Sequence, residues 1–112
     1  MTQRTQLRKA NVASDAATLE QIPNIGLSVA DDLRGIGIHT PNMLIGTDPY
    51  ALYAHVCTAT GTRHDPCLID TFIAAVRFME GAPRLPWWHY TEERKRTLAA
   101  GKGDAPSGFR LR

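Results

Sequence analysis

Three groups of residues have types and spacings suited to chemistry. The first is Ile22-Pro23-Asn24-Ile25-Gly26-Leu27-Ser28, a tight turn between two short apolar-periodic segments. The first amides of a helix have no partner inside it and lie at the positive end of its dipole. A bend that opens a helix therefore aims several N–H groups at one oxyanion, here a nucleic-acid phosphate. The second group is His55-x-Cys57 with His64-x-x-Cys67, four soft-metal donors within thirteen positions. His55 and Cys57 stand two apart on a predicted helix and point different ways, and both thiols fall on apolar faces. Buried core thiols are expected there rather than a metal site or a disulfide.

The third group is Trp87, Trp88 and Tyr90, with Arg84 before it and Arg94-Lys95-Arg96 after it. Such rings stack on exposed bases when cations nearby hold the phosphates. Alternatively they close a small core, with at least one tryptophan packed and the other marking a partner surface. Catalytic constellations are weak by comparison. Arg63-His64-Asp65 sets an imidazole near a carboxylate, but Asp65 is also a good helix cap for Pro66 and no nucleophile stands beside His64. Asp31, Asp32 and Asp70 do not define a two-metal cluster, and no Gly-rich loop with Lys and Ser is present. A non-enzymatic protein without cofactor is expected.

The elements that must position these residues read as all-α. Apolar residues recur at three and four, and no run alternates as a half-buried strand does. Ser14 or Asp15 caps a first helix reaching about Ile22, where Pro23 disfavours helical backbone. After the turn, Val29, Ala30 and Leu33 form the inward side of a second helix that stops at Gly35 and Gly37. Thr40-Pro41 opens a short connecting helix ended by Gly46, and Asp48-Pro49 opens a helix carrying Leu52, Tyr53, Val56 and Cys57. Asp65-Pro66 then starts the longest apolar helix, Cys67 to Met79, at the centre of the core. Gly81 to Pro86 is extended, and Thr91 caps a final helix whose acidic start and basic end agree with its dipole.

The segment Leu-x-x-Ile-Pro-Asn-Ile-Gly-x-Ser-x-Ala-x-x-Leu followed by Gly-Ile resembles the helix-hairpin-helix motif of DNA repair and recombination proteins. The wider run from Leu19 to Tyr90, with IGTDPYALY, RHDPCLIDTFIAAVRFMEGAP and LPWWHY, is similar to the small bacterial pathogenicity-locus family of helix-hairpin-helix proteins. This resemblance covers about two thirds of the chain. It implies a bacterial source and a fold, and carries no settled activity. In similar hairpins the amides that open the second helix face a backbone phosphate, so contact is independent of base sequence. Carried over, Ile25 anchors the turn tip inward while Gly26, Leu27 and Ser28 offer amides. Asn24 stands where the motif has its first glycine, and asparagine tolerates left-handed backbone. Lys or Arg is missing at Leu27, Ser28 and Val29, where such hairpins carry a helper charge, so weak and salt-sensitive binding is expected.

The expected architecture is thus a tandem helix-hairpin-helix-like domain over residues 14–98, with hairpins at 15–38 and 48–80, the second degenerate, and an aromatic C-terminal extension. Residues 1–13 are expected as a flexible arm and 99–112 as a flexible tail. At 112 residues, 43% hydrophobic, the chain suits one domain with a modest core. No segment approaches the roughly 20 apolar residues that span a bilayer, and the start lacks a signal-peptide core. With two cysteines, a cytoplasmic protein is expected.

The net charge is +2, but between Ser14 and Thr62 the only cation is Arg34. A positive surface must therefore be assembled by folding the chain ends beside the hairpin. Expected contacts to DNA are Asn24, Ile25, Gly26, Leu27, Ser28, Arg34, Arg94, Lys95 and Arg96. The expected partner surface is Trp87, Trp88 and Tyr90. The favoured function is weak, sequence-independent DNA binding. The competing one is a protein-interaction or homo-oligomer module.

Overall fold

A computed structural model describes residues 8–101. The described residues contain no strand. Among them are four α-helices, α1 (Leu27–Gly35), α2 (Pro49–Thr60), α3 (Cys67–Met79) and α4 (Thr91–Ala99), with single 3-10 turns at Ala13–Asp15 and Leu19–Gln21 before α1, at Pro41–Leu44 before α2 and at Trp87–Tyr90 before α4. The expected N-terminal arm and C-terminal tail lie partly outside the described residues. Arg8 to Ala13 departs from the expectation of a free arm: Ala10 is buried, and its N–H donates to the Gln21 carbonyl at 2.8 Å.

α3 is the centre, packed against α2, α4 and the turns at 41–44 and 87–90. Its sequence explains why. Ile69, Phe72, Ile73, Ala75, Val76 and Met79 are all buried, covering more than one face, while Asp65 accepts the Cys67 N–H at 2.8 Å and so caps its start. α2 begins as its sequence asks, with Pro49 in the first turn and the Asp48 carboxylate accepting the Tyr50 N–H at 2.9 Å. It ends at Gly61, whose φ of 67° suits the left-handed closing position.

The expected first helix is not formed. From Ala13 to Ile22 the chain makes two single 3-10 turns separated by extended backbone at Ala16 and Thr18. Two local effects account for this. Gln21 turns its side-chain oxygen back onto the amides of Ala17 and Thr18, at 2.9 and 3.0 Å, and Pro23 forces Ile22 into an extended conformation (ψ 130°). Too few residues remain between these points to nucleate an α-helix. The segment is held by burial instead, because Leu19, Ile22 and Ile25 have no exposed surface and pack with Ala30, Leu33, Val56 and Phe72. Each such side chain contributes roughly 1.5–3 kcal/mol.

A second cluster, Tyr50, Ile69, Ile73, Ala74 and Tyr90, joins α2 and α3 to the aromatic turn. Tyr90 therefore belongs to the core, contrary to its expected place on a partner surface. The Arg77 guanidinium lies 5.7 Å from its ring centroid and is ion-paired with Glu93. α4 is fastened to α3 by Asp70, which is fully buried and accepts from Arg94 Nε at 2.8 Å and from the Thr91 hydroxyl at 2.7 Å. Thr91 thus commits its hydroxyl to Asp70 rather than to capping α4.

Removing one partner of a buried ion pair leaves the other uncompensated, so Arg94→Ala is expected to cost about 3–5 kcal/mol in urea unfolding. Asp70→Leu combined with Arg94→Met should recover most of that loss. Burial raises the Tyr90 hydroxyl above the ordinary tyrosine value, against the pull of Arg77. The folded state then holds its proton where the unfolded chain has released it, so stability is full below about pH 10 and falls above it. Tyr90→Phe should flatten that fall in thermal melts taken between neutral and alkaline pH.

Candidate nucleic-acid interface

The bend is built from the inside outward. Ile25 is fully buried and pins the tip to the core, as its apolar side chain predicts. Asn24 takes φ 75°, and among the described residues no other non-glycine has positive φ. Asparagine is among the few residues that accept this backbone. Its side chain also ties the bend to the connector, because Nδ2 donates to the Leu85 carbonyl at 2.9 Å and Oδ1 accepts the Trp87 N–H at 3.2 Å. Asn24 is therefore a joint between two distant stretches of chain.

Gly26 is the exposed N-cap of α1, with φ −90° and ψ −175°, and no side chain caps the helix start. The first backbone bond of α1 runs from Ala30 N–H to the Gly26 carbonyl, at 3.0 Å, so the amides of Leu27, Ser28 and Val29 precede the helical ladder. Ser28 is exposed and Leu27 half-buried. A Cβ added at Gly26 would meet nothing within 4 Å. The mouth of the bend is open.

Behind the bend lies a cation absent from the sequence-based set. The half-buried Lys9 ammonium donates to the carbonyls of Glu20, at 2.7 Å, of Ile22, at 3.3 Å, and of Ile25. Burial, followed by the nearby Arg84 guanidinium, holds this ammonium below the ordinary lysine value, while Glu20 pulls the other way. Lys9 and Arg84 line an open cleft of about 310 Å³ with Pro23, Asn24, Leu85 and Pro86. Arg84 is exposed and donates to Asn11 Oδ1 at 2.9 Å. The sequence carries one signal for this pair, its position in the flanks of the acidic hairpin. Nothing in it reveals that both flanks meet at Asn24.

The expected cations are disposed differently. Arg34 makes a two-pronged pair with Glu20, at 2.7 and 2.8 Å, and reaches Asp31 at 3.3 Å. These bonds, chiefly the one to Glu20, raise its already high basicity and commit its charge between α1 and the turn before it. Arg94 is committed likewise to Asp70. Both are corrections to their placement as open phosphate contacts. Lys95 and Arg96 are exposed on α4 and form no ion pair among the described residues. Trp88 is also exposed, with 64% of its surface free, while Trp87 keeps 36% free and has the larger part of its surface covered.

The other candidate groups are held in local structure. Cys57 and Cys67 are unpaired and half-buried, and the Asp65 hydrogen bond raises the Cys67 thiol. His64 Nε2 lies 2.9 Å from the Thr60 hydroxyl, and its carbonyl accepts from the Tyr53 hydroxyl. Among the described residues no three His, Cys, Asp or Glu side chains gather as a metal site. No helix among them is long and apolar enough to cross a membrane.

The sequence profile of the pathogenicity-locus family, Cdd1, matches residues 12–96. The mitomycin resistance protein McrB of Streptomyces lavendulae is 46% identical over 96 residues, which cover 86% of this chain and 91% of that protein. No solved structure matches.

Asn24→Ala would lose both connector bonds and set at positive φ a residue that tolerates left-handed backbone less well than asparagine. A loss of about 2–3 kcal/mol is expected in chemical denaturation. Asn24→Gly keeps the backbone and should lose only about 1 kcal/mol. Equal losses would show that the left-handed backbone contributes nothing.

Proposed function

This chain belongs to the pathogenicity-locus family, and we propose that it is a non-enzymatic accessory that grips DNA weakly, through backbone phosphate and without base preference. The observation that carries this reading is the open, uncapped start of α1 beside the Lys9 and Arg84 cleft. Amides at Leu27 and Ser28 hold a phosphate oxygen, Gly26 lets the strand approach, and Ile25 and Asn24 fix the bend from behind, as in a helix-hairpin-helix. Lys95 and Arg96 add charge at longer range. The groups suited to acid–base work have structural partners: Asp65 caps α3, His64 meets Thr60, and Asp70 holds Arg94 and Thr91.

Weakness follows from the same contacts. With Arg34 and Arg94 matched by carboxylates, few cations are left to displace counterions, and Asp31 and Asp32 on α1 oppose a polyanion. Fluorescence anisotropy with labelled duplexes of unrelated sequence should show binding at low salt and a slope of log K against log salt between about −2 and −4. Arg84→Gln should reduce that slope by about one. Gly26→Val, whose Cβ meets open space, should weaken binding about fivefold, at a stability cost of about 1 kcal/mol or less from the poorer N-cap. A folded protein that binds no duplex at low salt refutes the reading. If the role is shared with the Streptomyces relative, expression of the chain raises survival of a bacterial host on mitomycin, and Gly26→Val removes the gain.

A further inference from the structure

We infer that Trp88, with Trp87 beside it, is a stacking platform for an unpaired nucleobase, so that single-stranded or branched DNA is preferred to intact duplex. This rests on phosphate contact at the bend. The two indoles are exposed although the core has taken aromatic rings elsewhere: Tyr50, Phe72, Phe78 and Tyr90 are all buried. The geometry of the turn explains the division. In a 3-10 turn residues three apart lie on one side, so Trp87 leans along the side of the core residue Tyr90, while Trp88 projects from another. Its larger exposure, 64% against 36%, agrees.

The platform is rigid at both ends. Ahead of it, Asn24 holds the Leu85 carbonyl and the Trp87 N–H. Beyond it, Tyr90 is in the core and the Thr91 hydroxyl is on Asp70. Little backbone freedom is left to lose when a ring stacks on Trp88.

Charge decides which flat, apolar ligand fits. Arg84 stands four residues before Trp88, a reach of at most about 14 Å, and lines the cleft with Lys9. An apolar protein segment has no use for two cations at that margin, whereas a nucleotide strand carries a phosphate beside every base. A duplex base is already stacked and cannot reach an indole. An unpaired base can, and every base offers a π-face.

The test uses the full chain, a labelled oligothymidylate, a matched duplex, and indole fluorescence. The single strand is expected to bind about tenfold tighter and to quench tryptophan emission. Trp88→Ala should remove that margin and leave duplex affinity unchanged, while Trp88→Phe retains most of it. Equal affinity for both DNAs, with Trp88→Ala neutral on each, overturns the platform and leaves the phosphate reading standing. Absence of binding to either DNA overturns both. A concentration-dependent dimer in sedimentation velocity that Trp88→Ala abolishes, without an effect on DNA, assigns the rings to a second copy of the chain and overturns the platform as well.

Discussion

The left-handed backbone of Asn24 is the constraint on which the arrangement depends. A residue there must accept positive φ, which glycine does best, yet glycine has no side chain to hold the connector. Asparagine satisfies both demands. Through it the bend that opens α1, the segment carrying Arg84, and the turn carrying the two indoles become one body. Without that joint, the amides of Leu27 and Ser28 would still start a helix, but cation and rings would have no fixed relation to them.

Electrostatics sorts the basic residues more sharply than their number suggests. Arg34 and Arg94 occur in the two helices that frame the domain, and each meets a carboxylate of very low exposure, Glu20 at 5% and Asp70 at 0%. A buried carboxylate needs a cation, so these arginines are committed to folding before any ligand arrives. The cations left over include Lys9, Arg84, Lys95 and Arg96, which lie in the flanks of the acidic stretch from Ser14 to Thr62, where the sequence places most of its positive charge.

Much of this is legible in the sequence, for physical reasons that differ by element. α2 and α3 are marked at both ends by Asp-Pro starts and by glycine or the end of the apolar pattern, and those signals act within a few residues. α1 is equally marked. The segment before it departs from its helical pattern because a capping residue and two apolar positions also fit a short, irregular path, and the Gln21 side chain decides between them. Tyr90, Arg34 and Arg94 differ from expectation for one shared reason. Residue type points each to the surface, while its partner lies 14 or more residues away or in another element. The joint between Asn24 and Leu85 spans 61 residues, beyond any pattern read along the chain.

Lys9 shows how the irregular first segment becomes tolerable. Because residues 19–25 form no α-helix, the carbonyls of Glu20 and Ile25 have no ladder to join, and they converge on the inner side of the bend with that of Ile22, which also accepts the Ile25 N–H at 3.1 Å. Part-buried carbonyls without donors are destabilising. An ammonium carries three N–H donors in a compact tetrahedral head, which one side chain can aim at three converging oxygens, and the planar fork of arginine cannot. The lysine thus replaces the missing helical hydrogen bonds and brings a positive charge to the back of the bend. Desolvation and repulsion from Arg84 oppose it. The contact that lets the irregular segment fold therefore leaves two cations facing one cleft, and that repulsion is what an anion bound there, as proposed, would relieve.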